Sequence, residues 1–256
     1  MKKITCERIN IAYEKSGNGQ DSVVLMHGWG IDHLLMKPLA EHLEQYFTVY
    51  NLDWPGHGVS DNPSQAFSTE DYCRLFAEFL ERLRIVNPIL IGHSFGARIA
   101  LRYAAHHPVK KMALTGAAGL RPKRGADYYL KVYGYKALKQ LKKLPFFSEL
   151  AKDKKYGSAD YQKLDGVMRE TFVKVVNEDV SSLLPDIKCE VLLVYGDKDE
   201  DTPLWMGEYL RDHLPNAGLA VFADDDHYAY LHQLPRFLRV LDIFFAEELK
   251  NGGFHE

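Results

Sequence analysis

The 256-residue sequence is poor in cysteine: Cys6, Cys73 and Cys189 lie far apart and never in CxxC spacing. That pattern excludes a disulfide framework and a thiolate zinc site, and it points to a reducing compartment. No apolar run approaches the roughly 18 residues of a membrane span. The basic start Met1-Lys2-Lys3 passes straight into Ile4-Thr5-Cys6-Glu7-Arg8, without the apolar stretch of a secretory signal. Net charge is also lacking, and a formal −3 supplies no whole-chain field for nucleic acid or a membrane surface. There is no HxHxDH-like run or histidine pair at metal-ligand spacing, and no internal repeat. The expectation is a cytoplasmic protein with no cofactor, no metal, no nucleic-acid partner and no membrane partner.

What is present is apolar material in short pieces, 46% hydrophobic residues in all, enough for a large core. Runs of strand length occur at Val23–Met26, Phe47–Leu52, Pro88–Ile91, Lys111–Leu114, Val191–Tyr195 and Leu219–Phe222. Several are continuously apolar rather than alternating, as in parallel strands buried on both faces. Helix-like segments at Leu34–Gln45, Thr69–Arg84, Ala97–His107, Pro203–His213 and Leu234–Lys250 separate them, with His232 near the opening of the last. This β-α-β-α order predicts a doubly wound α/β sheet in a single domain over 1–256, and Ile4–Tyr13 reads as an antiparallel lead-in pair. One interval, 120–185, breaks the alternation with helical periodicity and no convincing strand, so a helical insertion over one end of the sheet is expected. Within Arg121–Lys155 eleven Lys/Arg stand against three acidic residues, whereas Val191–Glu256 has five basic against thirteen acidic. Such runs usually mark solvated faces; the other reading is a docking surface for an acidic partner or an anionic substrate tail.

The chemistry concentrates at Ile89-Leu90-Ile91-Gly92-His93-Ser94-Phe95-Gly96-Ala97, an apolar run that ends in Gly-x-Ser-x-Gly before a helix-favouring stretch. A tight strand-to-helix bend exposes the serine hydroxyl and aims helix N-terminal amides at it, so Ser94 is the candidate nucleophile. A serine hydroxyl needs a general base, and the base needs an acid to hold its tautomer. Loops after parallel strands are where such groups gather. After Val191–Tyr195 comes Gly196-Asp197-Lys198-Asp199-Glu200-Asp201-Thr202-Pro203, and after Leu219–Phe222 comes Ala223-Asp224-Asp225-Asp226-His227. His227 is the expected base and Asp199 the expected acid, with Asp197 and Asp201 as neighbours that could cap the next helix. The oxyanion donors are expected to be the backbone N–H groups of Phe95 and Trp29, the latter in the glycine-rich turn His27-Gly28-Trp29-Gly30.

Together His27–Gly30, Asp53-Trp54-Pro55-Gly56-His57-Gly58-Val59-Ser60, Gly92–Gly96, Gly196–Pro203 and His227 resemble the α/β-hydrolase fold superfamily along essentially the whole chain. The resemblance implies an α/β-hydrolase fold, an eight-stranded, mostly parallel sheet flanked by helices, with a helical cap inserted between its sixth and seventh strands, and it implies the Ser94, Asp199, His227 triad. The turn at Trp29 and the basic cap are similar to pimeloyl-ACP methyl ester esterases, which implies an acidic carrier protein as a partner at the cap. Arg98 is instead similar to an arginine of the menaquinone-pathway lyase, which implies a substrate-binding role for Arg98 and looser candidates in Arg121 and Arg124; a structural salt bridge is the alternative for Arg98. The expected function is a cofactor-independent serine hydrolase acting on a small to medium carboxylic ester. Its rivals are a C–C bond hydrolase or lyase on the same triad, and a non-catalytic ligand-binding member of the fold. Tyr128, Tyr129, Tyr133, Tyr135, Phe146 and Phe147 are expected to line an apolar acyl pocket or to pack the cap.

Overall fold

A computed structural model of the chain describes residues 1–121, 164 and 166–252. Its centre is one eight-stranded sheet in the order β1-β2-β4-β3-β5-β6-β7-β8. The strands are β1 (Lys2–Cys6), β2 (Ile9–Ser16), β3 (Ser22–Met26), β4 (Thr48–Leu52), β5 (Ile89–His93), β6 (Lys111–Thr115), β7 (Glu190–Gly196) and β8 (Ala217–Phe222). β1 and β2 pair antiparallel, as do β2 and β4; every other neighbouring pair is parallel. Side chains of a strand alternate between its faces, so β3 serves two cores at once. Val24 and Met26 enter the one, Val23 and Leu25 the other.

The helices α1 (Lys37–Leu43), α2 (Thr69–Arg82), α3 (Phe95–Ala104), α4 (Gly166–Val176), α5 (Leu204–His213), α6 (Ala229–His232), α7 (Leu234–Phe244) and α8 (Ala246–Gly252) cover the sheet. Phe76 and Phe79 of α2, Leu101 of α3 and Leu210 of α5 join one core; Leu39 of α1 and Phe237 and Leu241 of α7 join the other. Burial on both faces is what makes the central strands almost wholly apolar. α2 starts with a capping box: the Asp71 amide donates to Ser68 Oγ at 3.2 Å while the Ser68 amide donates to the Asp71 carboxylate at 2.8 Å. No described helix is long and apolar enough to cross a membrane.

Several expected helix boundaries change; α3, for one, runs over Phe95–Ala104 rather than Ala97–His107. The segment Leu34–Gln45 divides into a 3-10 turn (His33–Met36) and α1, with Pro38 inside the first turn of α1, where its missing N–H has no partner to lose. Leu234–Lys250 breaks at Phe245, which is fully buried and packs edge-on against Phe47 at 6.1 Å. His232 closes the short α6 rather than opening the last helix.

Of the 120–185 insertion, α4 and a 3-10 turn (Ser181–Asp186) lie among the described residues. Arg124 and the aromatics Tyr128, Tyr129, Tyr133, Tyr135, Phe146 and Phe147 lie outside them, as does most of the basic segment. The two stems of the insertion are tied together. The Val180 amide donates to the Gly119 carbonyl at 2.9 Å, the Arg121 amide to Asp179 at 3.0 Å, and Arg121 Nε to the Asn177 carbonyl at 2.7 Å.

Candidate active site

Ser94 stands between β5 and α3 with φ 50° and ψ −106°. For a residue with a side chain this is strained backbone, held here by its surroundings. The Ser94 amide donates to the Thr115 carbonyl of β6 at 3.0 Å, and the Ser94 carbonyl accepts from Ala118 at 3.2 Å and from Arg98 at 3.2 Å. The bend also needs room behind it. A Cβ on Gly96 would sit 2.0 Å from the Met26 carbonyl oxygen, so only glycine lets α3 start this close to β3.

The loops after β7 and β8 bring the expected acid and base together. His227 Nδ1 lies 2.7 Å from Asp199 Oδ2. Of the three neighbouring aspartates only Asp199 is buried, while Asp197 and Asp201 are exposed. Its carboxylate also accepts from the Thr202 hydroxyl at 2.7 Å, the Thr202 amide at 2.8 Å and the Asp201 amide at 2.9 Å. Burial alone would raise this carboxyl, but the bond and charge of His227 and the Thr202 donors outweigh it and hold the pKa below the ordinary aspartate value. The carboxylate is thus ionised at neutral pH, and the His227 Nδ1 proton points at it.

The ring of His227 lies 4.7 Å, centroid to centroid, from that of His93, the residue just before Ser94. It also rests against Gly116, where a Cβ would come within 2.9 Å of Nδ1; glycine at φ 46° after β6 is what admits the imidazole. Among the described residues no hydrogen bond joins the Ser94 hydroxyl to His227, whose Nδ1 is taken up by Asp199.

On the opposite side runs the turn with Trp29. A Cβ on Gly28 would lie 3.3 Å from Ser94 Cβ, which places this turn against the serine. Among the described residues the amides of Trp29 and Phe95 have no protein acceptor. The turn is braced from below. His27, fully buried, directs Nδ1 to the Gly28 carbonyl at 2.7 Å and accepts the Trp54 amide on Nε2 at 3.0 Å, and Trp54 Nε1 donates to the His27 carbonyl at 3.1 Å. Asp53, equally buried, accepts from the His33 amide at 2.8 Å, His33 Nδ1 at 2.9 Å and the Val59 amide at 2.9 Å. Burial drives the His27 imidazole down to about 3 and His57 to about 4, and it holds His93 well below the usual histidine value, so all three are neutral near pH 7.

Arg98 occupies the first full turn of α3 with its side chain buried, donating to the Glu178 carbonyl at 2.8 Å. Burial lowers it to about 10 against the opposing pull of Glu178 and Asp179, which leaves the guanidinium charged. It ties α3 to the chain following α4.

Two groups of carboxylates and imidazoles bring ligand atoms within 4.8 Å of one another: Asp199, Asp201 and His227, and Asp225, Asp226 and His232. In the first, both Asp199 oxygens already accept protein donors. In the second, Asp225 bonds His232 Nδ1 at 2.7 Å and Gln233 at 2.9 Å, which fastens the His227 loop to the start of α7.

Sequence reasoning did not single out Thr202, His93, His27 or Asp53. Thr202 stands three residues after Asp199, where a chain turning into α5 can fold its amide and hydroxyl back onto the carboxylate, and that spacing was the available signal. Asp53 heads the Asp53–Ser60 run, which includes its Val59 partner, but its contacts with His33, 20 residues away, follow no local spacing.

Comparison with known proteins places this geometry. Residues 23–240 match the model of the alpha/beta hydrolase family. A protein named pimeloyl-[acyl-carrier protein] methyl ester esterase from Neisseria meningitidis is 31% identical over 238 residues, covering 84% of this chain and 90% of its own. A 2-hydroxy-6-oxononadienedioate/2-hydroxy-6-oxononatrienedioate hydrolase from Burkholderia vietnamiensis is 26% identical over 260 residues, covering 91% and 90%. Among solved structures, an esterase from Exiguobacterium antarcticum superposes with a TM-score of 0.74 at 23% identity, over 95% of this chain and 98% of that one. Family model, relatives and sheet order agree: the chain belongs to the alpha/beta hydrolase family.

Proposed function

We propose that this protein is a serine hydrolase that cleaves a small to medium carboxylic ester through an acyl-enzyme. The observation that carries the reading is the 2.7 Å Asp199–His227 pair set one ring away from a serine in strained backbone. In this reading His227 Nε2 takes the Ser94 proton as Oγ attacks the ester carbonyl, and Asp199 holds the Nδ1–H tautomer and stabilises the imidazolium. The Trp29 and Phe95 amides donate to the oxyanion. His227 then passes its proton to the leaving alcohol; in the second half it takes a proton from water as the water oxygen bonds to the acyl carbonyl, and it returns that proton to Ser94 Oγ as the acyl–Oγ bond breaks and the acid leaves. Arg98 acts here by holding α3 to the chain beyond α4.

A fluorophosphonate probe should label Ser94 and leave Ser94→Ala untouched, and a panel of p-nitrophenyl esters should be hydrolysed by the first and not by the second. Failure of both would leave a ligand-binding member of the fold as the reading. The relative named for a dienedioate substrate supports a second reading, C–C bond hydrolysis by the same residues. A vinylogous 1,5-diketone turned over faster than every ester of the panel would favour it. The esterase relatives named for an acyl-carrier-protein substrate, with the basic excess over Arg121–Lys155, support an acidic carrier protein as partner. Binding of holo-acyl carrier protein that weakens steeply between about 50 and about 300 mM salt, as the Debye length shortens from about 14 Å to about 6 Å, is the expected sign.

A further inference from the structure

The stretch Thr115-Gly116-Ala117-Ala118, at the end of β6, carries no titratable side chain, yet it touches all three residues of the proposed triad. The Thr115 carbonyl accepts the Ser94 amide at 3.0 Å, and the Ala118 amide donates to the Ser94 carbonyl at 3.2 Å, so the strained serine is held on both of its peptide groups. Gly116 lies against the Asp199–His227 bond: a Cβ there would come within 2.9 Å of His227 Nδ1 and 3.3 Å of Asp199 Oδ2. A displacement of this strap is therefore a displacement of the serine relative to its base.

Two bonds from β7 hold the strap. The register pairs Thr115 with Val194, and the Gly116 amide donates to the Val194 carbonyl at 2.9 Å. One residue further along β7, the fully buried Tyr195 donates its hydroxyl to the Ala117 carbonyl at 2.7 Å. Among the described residues that carbonyl has no other donor. The Tyr195 ring is seated closely against α5, where a Cβ on Gly207 would come within 2.7 Å of it. Packing here needs a ring and not a hydroxyl, which is costly to bury unless it is bonded. Burial, with the Asp199 charge, holds the phenol well above the ordinary tyrosine value, so it keeps its proton and donates.

We infer that Tyr195 is a positioning residue of the proposed hydrolase: its hydroxyl pins the strap at Ala117 and so fixes Ser94 against the Asp199–His227 pair. The inference rests on the ester-hydrolase reading for the reaction that is served, but not for the geometry that is set. Tyr195 acts only through the backbone of the strap, so the signature of its role is a loss of kcat at nearly constant KM.

The experiment is Tyr195→Phe, which keeps the ring and removes the donor, assayed on p-nitrophenyl esters; Tyr195→Met takes its place should that variant fail to fold. In folded protein kcat should drop by about tenfold to a hundredfold, the scale of a displacement of about 1 Å at the reacting groups, with KM within about twofold of wild type. Tyr195→p-aminophenylalanine puts an N–H donor back on the same ring and should recover most of the lost rate. A lowered urea midpoint with kcat unchanged would make Tyr195 a packing residue and overturn the inference, and so would a loss of rate that the amino ring does not restore. A second readout needs no turnover. The proton on His227 Nδ1, shared with Asp199 Oδ2 across 2.7 Å, gives a downfield proton resonance that His227→Gln identifies by deleting it. Removal of the Tyr195 hydroxyl should shift that resonance, and an unmoved one overturns the inference. A wild-type protein that cleaves no ester and resists the fluorophosphonate, while the resonance still moves, counts against the ester-hydrolase reading and leaves Tyr195 setting the pair. Wild-type ester cleavage with an undiminished kcat in Tyr195→Phe counts against the positioning role alone.

Discussion

The imidazoles on the two sides of Ser94 sit in opposite electrostatic settings. On the β7–β8 side, His227 turns Nδ1 to a carboxylate that three further donors hold ionised. On the β3–β4 side, His27 and His57 turn Nδ1 to the carbonyls of Gly28 and Pro55, and burial drives both neutral. In the proposed mechanism the partner behind Nδ1 separates the ring that takes up a proton from rings that brace a turn and stay neutral near pH 7.

The contrast breaks most completely at its centre. Ser94→Ala should lower ester kcat by about 10⁶ while leaving the far-ultraviolet spectrum and the melting temperature close to wild type. Next comes the carboxylate behind His227. Asp199→Asn keeps the shape but offers an amide, which favours the wrong tautomer, and kcat should fall by about 10⁴ with KM little changed. A loss below tenfold would mean that the carboxylate does not set the His227 tautomer.

On the bracing side the expected effects are on stability. His27, His57 and His93 are neutral when folded and have the ordinary value near 6.5 when unfolded. Their folded values are lowered, so their contribution is complete above about 6.5 and is lost as pH falls towards 4, because the unfolded chain then binds three more protons. Each proton is worth about 1.4 kcal/mol per pH unit, hence about 4 kcal/mol per unit for the three. Urea midpoints measured between pH 7 and pH 4.5 should fall accordingly, and a flat profile would mean that these rings protonate in the folded state. His27→Leu removes the acceptor of the buried Trp54 amide and should cost about 1–3 kcal/mol in the same assay.

The smallest effect sharpens the other side. Thr202→Val deletes one hydroxyl donor to Asp199, which leaves more of the carboxylate charge for His227. The acid limb of kcat/KM should move to higher pH and the rate should fall about threefold to tenfold, with Thr202→Ser restoring both. An unshifted limb would reduce Thr202 to a packing residue.

How far this contrast could be read in advance depends on whether its parts are local. The elbow at Gly92–Gly96 is written in five consecutive residues, and the parallel strands announce themselves by unbroken apolar runs. The order of Ser94, Asp199 and His227 follows once loops after strands are searched, and the structure brings the last two into contact. The brace under Trp29 was not legible, because His27, His33 and Asp53 meet only after β3 and β4 pair. The hairpin between β1 and β2 turns on Glu7 and Arg8, at φ 43° and 72°, without the Asn-Gly signal that such backbone usually carries. The break at Phe245 has neither Gly nor Pro to mark it; its cause is a long-range packing site beside Phe47. Arg124 and the aromatics between Tyr128 and Phe147 lie outside the described residues.

The knot of contacts between Gly119, Arg121, Asn177, Asp179 and Val180 gives the insertion a common doorway in the chain. Whatever length of polypeptide passes through it, departure and return are fixed at neighbouring points, so β6 and β7 keep their register regardless. A loop whose anchors meet is cheap to lengthen, since closure entropy grows only with the logarithm of its size. The segment is therefore exchangeable: a graft between those anchors would leave the pairing of β6 with β7 as it is.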